Sequence, residues 1–180
     1  AKQLDNTDRI PFDFFELAIT ADNAVSTIGG NLKFGGEQIG SIDLGFSLSN
    51  IPPQIFDLQH LLLEAQLPVM DQVKLVKASL AFRYGSFFEA PLSTNAQAEG
   101  LSTEAYRKAI SEKILKYGRT IGSTDVMNAT EVFAAFLSDK KSIEIKVASE
   151  DGIQYGYLMY LLKNDPKRLT QLIKIQATAK

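Results

Sequence analysis

The chain has 180 residues, of which 45% are hydrophobic and 22% are charged, and it carries a net charge of −2 and no cysteine. This composition is ordinary for a folded soluble protein, and we expect residues 1–180 to form a single domain. Disulfides and thiolate metal sites are excluded, and the scattered basic residues offer no concentrated face for a phosphate backbone, so nucleic acid is not expected as a partner.

The first fifty residues are rich in strand patterns. Residues 15–20 alternate between apolar and polar, residues 31–34 form a short extended piece, and the glycine pairs at 29–30 and 35–36 are interpreted as turns. The clearest strand follows, and its pattern predicts a sheet with one buried and one solvated face. The residues predicted to be buried are Ile42, Leu44, Phe46 and Leu48.

A change from strand to helix is predicted within residues 40–66. The two prolines at 52–53 cannot extend a central strand, but they fit the first turn of a helix. Apolar residues then recur at helical spacing up to Pro68, which predicts an amphipathic helix lying across the preceding strand. These residues are Ile55, Phe56, Leu58, Leu62 and Leu63.

The middle of the chain contains one more strand pattern and two helix patterns. Residues 76–84 alternate as a half-buried strand does, and the mostly polar residues 87–100 are predicted to be a flexible loop. Ser102 can cap a helix that runs from Thr103 to about Tyr117, before glycines 118 and 122. A second helix follows Ser123 or Thr124, with an apolar stripe formed by Val126, Met127, Val132, Phe133, Phe136 and Leu137.

The last forty residues predict a strand at 143–147, a turn at Asp151-Gly152 and a short helix at 155–162. Asp165-Pro166 then starts another turn of helix, and residues 173–177 can close the sheet. Taken together, the elements predict an α+β fold, with a mostly antiparallel, curved sheet covered on one face by amphipathic helices. No apolar run reaches the roughly 20 residues that a membrane-spanning helix needs, and Ala1 fits either a processed N-terminus or simply the point where the sequence begins.

Residues with obvious chemistry are few. His60 is the single histidine, so paired histidine metal ligands are excluded, and neither calcium-loop spacing nor a phosphate-binding glycine loop is present. No Gly-x-Ser-x-Gly segment occurs, although a serine, His60 and an acid could still form a hydrolase site. The pattern favours a protein without catalytic residues, cofactor or metal.

Aromatic side chains form the most suggestive functional feature. Phe12, Phe14 and Phe15, and later Phe87 and Phe88, place rings on both faces of any extended backbone. At least one ring in each group must therefore be covered by a second layer, a partner or a ligand. Helices that pack over the sheet are the simpler interpretation, and a contact surface is the functional one. The candidate contact residues are Phe12, Phe14, Phe15, Phe56, Phe87 and Phe88.

The strand-rich start, the strand-to-helix passage at 40–66 and the ending formed by residues 141–147, 164–166 and 172–175 resemble segments of bacterial envelope proteins of unknown function. Such proteins are built from strands with interposed helices. The resemblance implies a periplasmic or secreted location, and it brings no functional residues with it.

Three functions follow as hypotheses. The leading one is a non-enzymatic envelope domain that binds a partner protein or an apolar, lipid-like ligand. The alternatives are a structural subunit of a larger assembly and a hydrolase that uses a serine and His60.

Overall fold

The structure is a computed structural model that describes residues 13–53, 72–139 and 141–180. Six strands form one antiparallel sheet in sequential order, and five helices lie in the described residues, so the fold is α+β as predicted. The strands are β1 (Phe14–Asp22), β2 (Thr27–Gly36), β3 (Gly40–Ser49), β4 (Lys74–Arg83), β5 (Ser142–Gln154) and β6 (Lys174–Ala179). The helices are α1 (Ser86–Ala98), α2 (Thr103–Ile121), α3 (Thr124–Asp139), α4 (Tyr155–Asn164) and α5 (Pro166–Leu169).

The strand register separates an apolar face from a polar face. Directly opposed residues point to the same side of a sheet, so one row of pairs identifies each face. The apolar row runs from β1 to β5 through Leu17, Leu32, Leu44, Leu80 and Ile145. The polar row beside it runs through Glu16, Lys33, Asp43, Ala81 and Glu144.

An aromatic core joins the helices to the apolar face near β4 and β5. Phe136 of α3 is only 1% exposed, and its ring centroid lies 5.7 Å from that of Phe82 and 5.5 Å from that of Phe88. Phe82 and Phe88 are themselves 4.9 Å apart. Ile143 of β5, on the same face as Phe82, is 3% exposed. The helices therefore cover the β4–β6 half of the sheet.

Helix α3 also protects the β6 edge of the sheet. It packs against both β5 and β6. A carboxylate oxygen of Asp125, in the first turn of α3, accepts a hydrogen bond of 3.1 Å from the backbone N–H of Ile175. An edge strand otherwise presents unpaired backbone groups, so this contact satisfies one of them and leaves less room for another strand.

Residues 87–100, predicted to be a flexible loop, are mostly helical, and that prediction was wrong. Helix α1 spans Ser86–Ala98 with Pro91 inside it. The helix is held by an apolar stripe at a spacing of four, in which Leu92 is 8% exposed and Ala96 is 1% exposed. Burial of this stripe outweighs the low helix propensity of the polar residues around it.

Two glycine predictions were also wrong, because close packing explains these residues better than turns do. The pair at 29–30 lies inside β2, where a Cβ on Gly30 would come within 2.5 Å of the Phe46 ring. Helix α2 continues past Gly118, whose missing Cβ lets Thr130 of α3 approach, and it ends before Gly122, which has a left-handed φ of 74°.

The predicted turn at Asp151-Gly152 is also wrong, since both residues lie within β5. The pairing of β4 with β5 shifts register between Leu75 and Lys77, so the extra residues form an irregularity within a continuous strand. Gly152 has a φ of 66°, which explains why a glycine is used there.

Several helix predictions are confirmed. Ser102 accepts a hydrogen bond of 3.1 Å from the backbone N–H of Ala105 and caps α2. Asp165 accepts one of 2.9 Å from the N–H of Arg168 at the start of α5. The helix predicted after Pro52 falls on residues 54–71, which lie outside the described residues, as does His60. No described helix is long and apolar enough to cross a membrane.

The aromatic core gives the first testable prediction. Replacing Phe136 by alanine should lower the free energy of unfolding by about 3–5 kcal/mol, because it leaves a cavity among Phe82 and Phe88. Urea denaturation followed by circular dichroism measures this. The control Val25→Ala removes an apolar side chain that is 63% exposed and lies outside the sheet, and it should cost less than about 1 kcal/mol. Equal losses in the two variants would contradict the assignment of the core.

Candidate functional site

Within the described residues, the apolar face is exposed at its β1 end. Phe15, Leu17 and Ile19 of β1 are 68%, 60% and 64% exposed. Leu44 and Phe46 of β3 are 39% and 42% exposed, so the prediction that all four apolar residues of this strand are buried is wrong for the described residues. The described helices pack mainly over β4 to β6, and although α1 also contacts β3, these five side chains remain exposed. We call the surface formed by Phe15, Leu17, Ile19, Leu44 and Phe46 the open face.

Phe46 makes the open face continuous between β1 and β3. Ile19 of β1 lies opposite Gly30 of β2, and Gly30 lies opposite Phe46 of β3. The ring of Phe46 occupies the space where a side chain at position 30 would stand. An aromatic ring thus covers the glycine, and the apolar surface extends from Phe46 toward Ile19 without a gap between strands.

The open face borders the outer edge of β1. Among residues 13–53, 72–139 and 141–180, β1 pairs with β2 and with no other strand. Its sequence, FFELAITAD, contains neither proline nor lysine, which are the residues that commonly discourage pairing at a sheet edge. The two ends of the sheet therefore differ, because α3 supplies Asp125 to the β6 edge.

The candidate residues taken from the sequence are distributed over several places. Phe15 lies on the open face, while Phe14 is half-buried on the opposite face. Phe88 contacts Phe82 and Phe136 in the aromatic core. Phe12, Phe56 and the side chain of Phe87 lie outside the described part of the structure.

The sequence reasoning did not select Leu17, Ile19, Leu44 and Phe46 as contact residues. Their alternation with polar residues was visible in the sequence and correctly placed them on one face. Alternation does not report whether a second layer covers that face.

A second exposed apolar surface lies on α4. Leu161 is 2% exposed and packs with Ile153 and Leu169. Leu158 also packs against this cluster, and the opposite side of the helix faces outward, where the ring centroids of Tyr157 and Tyr160 are 6.5 Å apart in a stacked arrangement. The exposed members are Tyr155, Tyr157, Met159, Tyr160 and Leu162, which are 44–59% exposed.

Arg107 of α2 is a buried charge that sequence reasoning missed. It is 8% exposed, donates hydrogen bonds to the hydroxyl of Tyr84 and to the carboxylate of Glu89, and places Cζ 5.4 Å from the Tyr84 ring centroid. It therefore links α1, α2 and the end of β4. It also lines an open cleft of about 820 Å³ together with Ser102, Glu104 and Lys108. We assign Arg107 a structural role, because its charge already has a partner.

Lys174 and Glu150 form an ion pair that shifts the pKa of both side chains. The hydrogen bond from Lys174, and then its charge, lower the pKa of Glu150, and the same contacts raise the pKa of Lys174. The pair borders an open cleft of about 510 Å³ that Tyr157 also lines. Both side chains are solvent-exposed, at 72% for Lys174 and 80% for Glu150, so the pair contributes little to stability.

The described residues contain no group of side chains that could hold a metal ion, because no three histidine, cysteine, aspartate or glutamate side chains come together there. The described part of the chain thus presents an apolar surface beside an unpaired strand, and no cluster of reactive side chains stands out.

The fold and the open face define an α+β protein with an antiparallel sheet whose apolar face is only partly covered by the described residues. A family model described as Uncharacterized protein matches residues 33–180, so the chain belongs to that family. Neither the curated proteins nor the solved structures include a match to this chain.

The buried arginine gives a prediction about stability. Glu89→Ala should lower the free energy of unfolding by about 2 kcal/mol, because it removes the counter-ion of a buried charge. This loss is smaller than that expected for a fully buried ion pair, since the Glu89 side chain is 41% exposed. The double variant Glu89→Ala/Arg107→Met should lose less than Glu89→Ala alone, because it removes the unpaired charge as well. If urea denaturation shows the double variant losing as much stability as Glu89→Ala or more, this prediction is contradicted.

The exposed ion pair gives a prediction about acid titration. Lys174→Gln should raise the pKa of Glu150 toward the ordinary value of a glutamate, as followed by NMR. The sign follows from linkage: a lowered carboxyl pKa adds stability above the unfolded-state pKa, and that stability is lost as the pH falls through the folded-state pKa. The control Lys146→Gln removes a lysine that pairs with Glu144 at 2.9 Å, and it should leave the pKa of Glu150 unchanged.

Proposed function

We propose that this chain is a non-enzymatic protein-binding domain of the bacterial envelope, in which the open face and the outer edge of β1 receive a partner protein. The observation that carries the proposal is the exposure of Phe15, Leu17 and Ile19, at 68%, 60% and 64%, on a strand whose outer edge lacks a partner strand among the described residues.

The energetics favour contact with another protein. Burying a large apolar side chain contributes about 1.5–3 kcal/mol, so covering three such residues provides a substantial driving force. Contiguous exposed apolar surface commonly marks an interaction site. An added strand would also satisfy the outer backbone groups of β1, and its side chains on the apolar face would extend the open face.

A protein partner fits the open face better than a lipid-like ligand does. Sites for small apolar molecules are concave and typically hold about 300–1,000 Å³. The apolar hollow beside the open face, lined by Phe34, Ile39, Ile42 and Phe82, has a volume of only about 10 Å³. A larger cleft of about 450 Å³ borders Phe46 and Gly30, but it is open to solvent, so an acyl chain there would lie across the sheet surface and would not be enclosed.

The envelope location rests on the resemblance of the strand and helix pattern to bacterial envelope proteins. It supports a periplasmic or secreted site of action for the binding domain. The non-enzymatic character rests on the lack of catalytic motifs in the sequence, and the hydrolase alternative depends on His60, which lies outside the described residues.

Photo-crosslinking tests the proposal. With p-benzoylphenylalanine in place of Leu17, illumination of producing cells should yield one discrete cross-linked protein product, because position 17 lies between Phe15 and Ile19 on the exposed apolar face of β1. Adding Ile19→Lys to this variant should reduce the product at least about tenfold, since it places a charge within the contact.

The matched control carries the same probe at Val25, which is 63% exposed in the turn after β1 and lies outside the open face. It should give no discrete product. Equal patterns at positions 17 and 25 would overturn the proposal. Native mass spectrometry and organic extraction of the purified protein would reveal a bound lipid. If that lipid is lost in Leu17→Lys, the occupant of the open face is a lipid-like ligand and not a partner protein.

A further inference from the structure

We infer that the partner at the β1 edge is a second copy of this chain, paired antiparallel through β1 about a two-fold axis at Ala18. This inference rests on the function proposed above and names its partner. The outcome is one continuous sheet of two copies, with both open faces on the same side.

The nine residues of β1 are self-complementary in this register. Ala18 is the middle residue of Phe14–Asp22, so an antiparallel pairing centred on it matches the strand along its full length. On the apolar face, Leu17 lies opposite Ile19 of the second copy, and Phe15 lies opposite Ala21. Leucine and isoleucine are thereby placed as a direct cross-strand pair, which is a favourable contact in sheets.

Charge supports the same register. On the polar face, Glu16 lies opposite Thr20 of the second copy, so no two acidic residues are directly opposed. Within each copy, Glu16 lies opposite Lys33 of β2, a residue of opposite charge. Like charges placed directly opposite each other would destabilise the pairing.

Neighbouring registers are less favourable. If the register slips by one residue, Leu17 lies opposite Ala18 of the second copy. The two open faces then point to opposite sides of the sheet, because side chains alternate along a strand. Of the registers that keep the faces together, one centred on Glu16 opposes that residue to itself, and one centred on Ile19 opposes Glu16 to Asp22. One centred on Leu17 pairs only residues 14–20 within β1.

Parallel pairing of the same edge is disfavoured for a geometric reason. A two-fold axis that relates two parallel copies of β1 runs along the strand and reverses the sheet normal. The open faces would then point to opposite sides and could not join. Antiparallel pairing uses an axis perpendicular to the sheet, so the open faces form one surface.

Cysteine cross-linking tests the register, and the chain has no cysteine of its own. In Ala18→Cys, the two substituted residues face each other with Cα atoms about 4.5–5.5 Å apart, within the range that a disulfide needs. Mild oxidation should therefore give mostly a reducible dimer on gels run without reductant.

The matched control is Thr20→Cys, which is also exposed and on the same face of β1. In the inferred register, position 20 lies opposite position 16, and its own copy is displaced by about 13 Å along the strand. It should remain almost entirely monomeric. Equal cross-linking of the two variants, faster cross-linking at position 20, or none at position 18 would overturn the inference.

Charge substitution at the axis provides a second test. Ala18→Glu places two carboxylates against each other and should weaken self-association, measured by analytical ultracentrifugation, at least about tenfold. An equimolar mixture of Ala18→Glu and Ala18→Lys should restore association, and native mass spectrometry should show the mixed dimer. Unchanged association in Ala18→Glu, or a chain that is monomeric throughout, would overturn the inference.

These outcomes separate the inference from the proposed function. Substitutions at Ala18 lie on the polar face and leave Leu17 and Ile19 in place. If they have no effect while Ile19→Lys still abolishes the cross-link from position 17, the open face binds a different protein. If both sets have no effect, the proposed function fails as well. Circular dichroism and urea midpoints confirm that each variant is folded.

Discussion

The unequal covering of one sheet face is the constraint on which the rest of this structure depends. Phe136 seats α3 against Phe82 and Phe88, which fixes the helices over the β4–β6 half. Dense packing of these rings anchors the layer at one end of the sheet. The five side chains of the open face consequently remain exposed in the described structure. The stable core and the candidate binding site are thus two ends of one apolar face.

The two sheet edges follow the same division. At β6, Asp125 bonds the backbone of Ile175, so the layer that forms the core also protects that edge. At β1 the described residues supply no equivalent, and the edge coincides with the most exposed apolar side chains. Backbone hydrogen-bonding capacity and apolar surface occur together there. That combination is what a strand from another protein can use, and what an unassembled chain must protect from aggregation.

Much of the element order could be predicted from local pattern. The alternation in β3 and the caps supplied by Ser102 and Asp165 each reflect interactions within a few residues, and the structure contains them. Helix α1 was missed because its stripe of Leu92 and Ala96 is short and lies among polar residues with a proline. Its stability comes from burial against other elements, which local propensity does not contain. Gly30 and Gly118 were misjudged for a related reason, since their role is to admit Phe46 and Thr130 from distant segments.

The sequence by itself determined which residues share a face of each strand, because side-chain alternation is a property of the backbone. It also limited the chemistry, since one histidine and no cysteine leave few reactive or metal-binding sites. Tertiary structure alone decided that Arg107 is buried against Tyr84 and Glu89. It also decided which part of the apolar face the described helices cover, and which edge of the described sheet has no partner strand. These features depend on contacts between residues far apart in the chain. Periodicity shows that a face is apolar, and only packing decides whether the protein itself covers it.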